Sequence, residues 1–405
     1  MAGASISIVL VGIGGMGAAY VDELLKNAPG EDFRISGAVD PAPDRCPRLA
    51  DLRAAGVPLF PDLERFYAVR KADLAVISSP HHYHASQTIA ALEAGSFVLC
   101  EKPTAGTIQE ARAMAAAEQR TGRWAAIAYQ WSFSDAVQAL KGDILGGRFG
   151  RPLRLACLYT WPRDLAYYRR NAWAGRLRAD DGAWVLDGPA NNAFAHDLHN
   201  MLYLLGPDVR SGARPAAIQG ELYRVNAIEN YDTAAARIRM ENGTELLFLV
   251  SHAALRDRGP VLRFELEKGT VTADGRGSGL KAAFRDGATR DYGNPDAWPM
   301  KKLWDALRSV RTGVPPVCGV AAASGQTLAV NGLQDSAAGV VEIPAAFRAE
   351  ERAGGSAWIR IRGLDEAWGR CFEESLLPSE IGVPWARAGR LVDLSKYEDF
   401  PGPRL

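Results

Sequence analysis

"SISIVLVGIGGMGAAYVDELLKNA", residues 5–28, decides the fold. Ser5 to Val11 is apolar and rich in β-branched residues, the pattern of a strand buried on both faces. Gly12-x-Gly14-x-x-Gly17 follows at once, and a helical pattern opens behind it. Between strand and helix the glycines have separate tasks. Gly12 permits the tight turn, Gly14 lets backbone approach a pyrophosphate, and Gly17 lets the helix lie close on the strand. The helix N-terminus offers free N–H groups to phosphate oxygens. Gly12, Ile13, Gly14, Gly15, Met16 and Gly17 are therefore read as a dinucleotide-binding turn.

A second strand, "FRISGAVDP", ends at Asp40, 23 residues after Gly17. The acid that binds a nucleotide ribose is expected about 20 residues on. A carboxylate there accepts hydrogen bonds from the ribose hydroxyls and repels a 2′-phosphate, so the predicted cofactor is NAD rather than NADP. Met1 to Val21 carries no charged side chain and five glycines. The buried strand explains this better than a signal peptide, which would open on basic residues.

Strand and helix patterns then alternate through "DLAVISSP", "HASQTIAALEAG", "SFVLCEKP", "TIQEARAMAAAEQRTG", "WAAIAYQ" and "SDAVQALKGDILGG". That alternation predicts a doubly wound parallel sheet. Ligands of such sheets sit off the carboxyl ends of the strands. Ser79, Pro80, His84, Glu101 and Lys102 fall at or just past such ends and are cofactor-site candidates. Lys102 is aimed where a nicotinamide would lie.

Composition narrows the classes. Of 405 residues, 47% are hydrophobic and 23% charged, with 47 basic against 47 acidic side chains. A neutral chain without a basic run gives no support to nucleic-acid binding. No segment reads as a membrane span. Five scattered cysteines with no C-x-x-C argue against a disulfide framework and fit a cytoplasmic protein.

"VGIGGMG", "VDP" at 39–41, "SSPHHYHASQTIAALEAGSFVLCEKP" and "DGPANNAFAHDLHNMLYLLG" together resemble the Gfo/Idh/MocA family of sugar and cyclitol oxidoreductases. The resemblance implies an α/β protein: an N-terminal Rossmann domain with its doubly wound parallel sheet (1–130), then an α/β domain (131–335) on a large, open-faced, mainly antiparallel sheet. It implies tightly bound NAD(P), a catalytic Lys102 with a cis Lys102-Pro103 bond, and an oligomer, homodimer or homotetramer, joined through the sheet's open face. The remainder, 336–405, is too aromatic for a disordered tail. It is expected to wrap on its own body or on a neighbouring subunit.

Residues 191–205 are predicted as one helix. Asn192, His196, His199 and Tyr203 then share a polar face, opposite Phe194, Leu198, Leu202 and Leu205. The resemblance makes His196 the family's histidine. It puts Asn192 where the family has an Asp, and His199 where it has a later Asp. A histidine titrating near neutrality suits the base that takes a hydroxyl proton, and a lysine ammonium suits stabilising an alkoxide. Lys102, His196 and Asn192 are thus the catalytic candidates. With Asn192 an anion is expected to be missing, which would lower the Lys102 pKa. No metal is expected: His196-x-x-His199 lacks an H-E-x-x-H frame. "YTWPRDLAYYRRNAWAGRLR" interleaves aromatics with Arg and Asn, as sugar sites do. Arg163, Tyr168, Arg169, Asn171 and Trp173 join Tyr129, Lys102, Asn192, His196 and His199 as substrate candidates.

The predicted activity is hydride transfer between NAD and a secondary hydroxyl or ketone of a sugar, glycoside or cyclitol. Two rivals stand beside it: a glycosidase working by transient ring oxidation, and a non-catalytic NAD-binding regulator.

Overall fold

The computed structural model describes residues 5–27, 32–337 and 339–402. The chain divides into two compact units, 1–133 with 298–324, and 134–297 with 325–405.

The first unit holds β1 (Ile6–Val11), α1 (Gly17–Asn27), β2 (Phe33–Val39), α2 (Leu49–Ala54), β3 (Leu59–Phe60), α3 (Leu63–Val69), β4 (Leu74–Ile77), α4 (His84–Glu93), β5 (Phe97–Cys100), α5 (Ile108–Thr121), β6 (Ala125–Ile127) and α6 (Gln130–Phe133). The strands form one parallel sheet in the order β3-β2-β1-β4-β5-β6. Every residue of β1 and β4 is buried, which is why both read as unbroken apolar runs. The order reverses between β1 and β4, the switch point at whose strand ends such sheets bind ligands. The glycine turn lies there. Gly12 has φ of 78°, and a Cβ on it would meet Ser79 N at 2.8 Å. A Cβ on Gly17 would stand 2.0 Å from Gly12 O, so α1 starts at this depth only with glycine. Thr107 and Glu110 close a capping box on α5.

The second unit starts with α7 (Asp135–Leu145), β7 (Pro152–Thr160) and α8 (Ala195–Leu204). β8 (Pro215–Arg224), β9 (Thr233–Met240), β10 (Glu245–Ser251), β11 (Arg258–Leu266), β12 (Gly269–Asp274), β13 (Lys281–Phe284) and β14 (Thr289–Asp291) follow. The chain returns to the first unit with α9 (Lys301–Thr312) and re-enters the second along α10 (Val320–Ser336). β15 (Val341–Glu342), β16 (Arg348–Ala353), β17 (Ser356–Ile361), α11 (Leu364–Glu374) and β18 (Val392–Asp393) complete it. The large sheet runs β14-β13-β12-β11-β7-β10-β9-β8-β15, with β18 on β8. Only β10 on β7 and β15 on β8 pair in parallel. The β9–β10 hairpin turns at Asn242-Gly243 as its sequence predicts, with Gly243 at φ of 83°.

Part of one face of the large sheet is covered. Ala156, Leu158, Tyr223, Ala235, Leu247 and Leu249 form an apolar face, and Leu364, Trp368, Cys371, Phe372, Leu377 and Trp385 of the C-terminal segment bury it. The extension therefore wraps on its own unit, over the central strands of the face through which a homodimer or homotetramer was expected to join. Among the described residues no helix is long and apolar enough to cross a membrane. All five cysteines are buried, and none forms a disulfide among the described residues.

Trp368 is fully buried at the centre of this contact. Trp368→Ala should cost about 3–5 kcal/mol of unfolding free energy, read by urea denaturation. Light scattering of the intact chain tests the expected homodimer or homotetramer against the 43.7 kDa of one copy.

Candidate functional site

In the first unit the glycine turn closes on Asp40. Ile13 N–H donates to Asp40 Oδ2 at 2.9 Å and Ala42 N–H to Oδ1 at 2.8 Å. Each oxygen retains lone-pair capacity for a hydroxyl. A Cβ on Gly14 would meet only Arg45 Cβ at 3.8 Å. Protein contacts do not demand glycine there, and the bare backbone leaves room for a ligand. Met16, at the turn's tip, is exposed, and Gly15 has φ of 51°. These features fit a dinucleotide.

At the end of β5, Glu101 is buried and all its acceptors are engaged. Tyr20 donates to Oε1 at 2.7 Å, Lys302 Nζ donates to the same oxygen, and Lys102 N–H donates to Oε2 at 3.1 Å. Burial works to raise the Glu101 pKa, but the Lys302 ammonium overrides it and holds the carboxyl at about 2. Glu101 is thus an anchor for the strand end, not a group turned to a ligand. The Lys102-Pro103 bond is cis, as the resemblance implied. His84, also buried, ties two loops together: Nδ1 lies 2.8 Å from Pro103 O and Nε2 3.0 Å from Ser79 O. Burial lowers its pKa against the pull of both carbonyls. Ser79 Oγ donates to Gln87. Tyr129, just past β6, is fully buried, and burial raises its pKa.

In the second unit α8 begins only at Ala195. Asn192 lies on the turn before it, so the shared helical face expected for Asn192 and His196 is corrected. The turn brings Asn192 to a carboxylate that the sequence reading missed: its Nδ2 donates to Asp187 Oδ1 at 2.8 Å. The anion expected to be missing is present as its neighbour. Asp187 Oδ2 accepts from Gly175 N–H at 2.7 Å and pairs with Arg170 at 3.4 Å. Burial raises the Asp187 pKa, while Arg170, Gly175 and Asn192 oppose it. Leu186, just before, takes φ of 50°. A branched residue in that region stores about 1–3 kcal/mol, an outlier that often marks a working site.

His196 is half-buried on α8, whereas His199 is sealed in the interior. His199 stacks on Tyr203 at 5.6 Å, beside Lys141, whose ammonium lies 3.6 Å over the same ring. Burial, then Lys141, pushes the His199 pKa down to about 3. His199 therefore belongs to the α7–α8 packing, apart from the Asn192–Asp187 pair. Asp197 is buried too, and burial raises it to about 8.

The segment after β7 supplies the aromatics. His252 Nδ1 donates to Trp161 O at 3.0 Å, and burial and Arg163 lower its pKa to about 3. Its ring lies 5.4 Å from Tyr167 and 5.0 Å from Phe194. His252, Tyr167, Tyr168, Tyr231 and Asp187 line a cavity of 10 Å³, about the room of one water. The Tyr168 hydroxyl and His252 Nε2 have no hydrogen-bond partner among the described residues. Tyr168 and Arg169 also line a larger pocket of 580 Å³ with Arg176, Arg224 and Asn226. Asn171 Oδ1 accepts from Trp173 N–H at 3.1 Å, and Trp173 lies 5.2 Å from the Arg170 guanidinium. Among the described residues no three His, Cys, Asp or Glu side chains group as a metal site.

Residues 6–129 match the GFO_IDH_MocA pattern, described as an oxidoreductase family with an NAD-binding Rossmann fold. That match lies within the first unit. Inositol 2-dehydrogenase 1 of Mycolicibacterium vanbaalenii is 30% identical over 158 residues, 39% of this chain and 45% of that protein. The 1,5-anhydro-D-fructose reductase of Ensifer adhaerens is 37% identical over 138 residues, 34% of this chain and 38% of that one. The chain thus spans less than half the length of these curated relatives. The solved WlbA dehydrogenase of Bordetella pertussis, in complex with NADH and UDP-GlcNAcA, shares the fold across both units. Its TM-score is 0.66 at 22% identity, covering 82% of this chain and 97% of that one.

The sequence signal for Asp187 is weak: it precedes a Gly-Pro turn, five residues before Asn192, outside any helical period. Its pairing gives a test that needs no substrate. Asn192→Asp would set a second carboxylate against Asp187, and one of the two must then hold its proton more tightly. A raised folded pKa is harmless at low pH and costs stability as pH rises through it. Relative to the parent, the variant's unfolding free energy should differ little at about pH 3, below the unfolded carboxyl pKa, and be lower at about pH 8 by about 2–3 kcal/mol, or roughly two pKa units. A pH-independent difference would show that the two side chains do not interact.

Proposed function

We propose that the chain is an NAD-dependent oxidoreductase that moves a hydride between nicotinamide and a secondary hydroxyl or ketone of a sugar, glycoside or cyclitol. The observation that carries this reading is Asp40 fixed by the Ile13 amide inside the glycine turn of an NAD-binding family domain. A carboxylate held there accepts from a ribose diol and repels a 2′-phosphate. Gly12 to Gly17 and the start of α1 would hold the pyrophosphate, with Ser79 and Pro80 at the next strand end. Bound NAD supplies the hydride acceptor. The relatives support the substrate class: their names specify inositol, an anhydro sugar and a sugar nucleotide.

The chain's own groups supply the proton chemistry. Lys102, at the end of β5, donates a hydrogen bond to the reacting oxygen and stabilises charge developing on it. His196, on α8, takes the hydroxyl proton. Asn192, held on Asp187, orients the substrate. With Asp187 beside Asn192, the missing anion that had set the glycosidase rival apart no longer favours it.

Excess NAD⁺ and a panel of sugars, glycosides and cyclitols should yield net NADH. Aglycone release without NADH would mean the glycosidase, and binding without either product the regulator. Lys102→Ala and His196→Ala should each lower kcat by about 10²–10⁴-fold with NAD affinity nearly unchanged. Near-normal turnover in either variant would remove that residue from catalysis. NAD should bind about 10²-fold or more tightly than NADP, and Asp40→Ala should narrow that ratio chiefly by weakening NAD. Equal affinities in the parent protein would take Asp40 out of its role.

A further inference from the structure

Three guanidiniums converge just past β7, with fewer anions to meet them. Arg163 lies 3.4 Å over the Trp161 ring and 4.6 Å over Tyr167. Arg276 lies 4.0 Å over the same Trp161 ring, and Arg170 3.8 Å over Tyr167. Arg276 is paired with Asp257 at 3.2 Å and donates to the Tyr159 hydroxyl at 2.6 Å. Arg170 is paired with Asp187. Arg163 pairs with no carboxylate among the described residues, and its buried Nε has no hydrogen-bond partner. The adjacent Asp164 does not serve it: its oxygens accept from Tyr167 N–H at 2.9 Å and from the Ser356 hydroxyl at 2.9 Å.

Such an arrangement is costly without a counter-charge. Burial and the nearby Arg170 and Arg276 all disfavour the charged Arg163 guanidinium. Aromatic stacking offsets part of this but leaves its in-plane N–H donors unused. Those donors form a planar fork suited to two oxygens of one anion. The backbone holds the fork in place, since Arg163 N–H donates to His252 O at 2.9 Å and Leu165 N–H to Ala357 O at 2.8 Å.

We propose that Arg163, with Arg276 beside it on Trp161, binds an anionic group of the substrate, a carboxylate or a phosphate, so that the sugar acted on is a charged one. This rests on the oxidoreductase reading above and narrows its substrate class. A uronate and a glycosyl phosphate share the recognising chemistry, and the experiment separates them.

Calorimetry on the NAD-loaded chain would compare glucose, glucuronate and glucose 1-phosphate, and the galacto counterparts of all three. At least one charged sugar should bind tenfold or more tightly than its neutral counterpart, by a margin that shrinks as salt rises. The sugar that gains identifies the anion as carboxylate or phosphate. Arg163→Gln should abolish the margin and Arg163→Lys restore part of it, with thermal melts confirming that both variants fold. No margin in the parent, or one that survives Arg163→Gln, would overturn the proposal and leave Arg163 a stacked structural cation. NADH formed from neutral sugars without a charged-sugar advantage would sink this inference and spare the oxidoreductase reading. Arg163-dependent binding without NADH from any sugar would do the reverse.

Discussion

The first unit depends on a charge taken out of water. Glu101 and Lys302 form a buried ion pair joined by the Tyr20 hydroxyl, and three elements distant in sequence meet there: the end of β5, α1 and α9. Removing one partner of such a pair typically costs about 3–5 kcal/mol, because it leaves the other charged and unsolvated. That constraint explains why the chain returns at residue 298 to a unit it had left at 133. α9 brings more than Lys302, since Trp304 donates to Glu23 at 2.7 Å and Arg311 to Asp32 O at 3.0 Å. The same carboxylate receives Lys102 N–H, so the backbone of the candidate catalytic lysine is set by the buried pair.

The extension acts in a comparable way on the second unit. The apolar stripe of its α11 removes part of one face of the large sheet from water, where an exposed patch would otherwise invite a partner. Its β16–β17 hairpin then reaches the segment that follows β7. Leu165 pairs with Ala357 and Asp164 with Ser356, so the C-terminal segment fixes the loop carrying Trp161, Arg163 and Tyr167. Covering the sheet and shaping the aromatic loop are two results of one packing event.

How far the sequence could be read follows from which interactions are local. The strands of the first unit are legible because burial on both faces leaves an apolar signature, and the glycine turn because backbone sterics admit few residues at Gly12 and Gly17. The β9–β10 hairpin announces its turn in two residues. Most of the departures depend on contacts between distant segments. Lys302 reads as an ordinary helix lysine until Glu101 meets it. The domain boundary near 298 and the covered sheet face are invisible for the same reason.

The polar run from Asn191 to Tyr203 shows why periodicity alone could not sort the candidate site. Spacing groups His196 with His199, but environment separates them: one is half-buried, while the other is sealed beside Lys141 and held neutral. Burial and Lys141 hold the His199 imidazole neutral, so His196 is the histidine of that helix suited to the task assigned to it. Spacing also joins Asn192 to α8, whereas the strained Leu186 and the Gly188-Pro189 turn deliver it to Asp187. The carboxylate that spacing put in doubt thus comes from a turn, where no helical or strand period marks it. In this unit the turns set the chemistry, and the regular elements hold them in place.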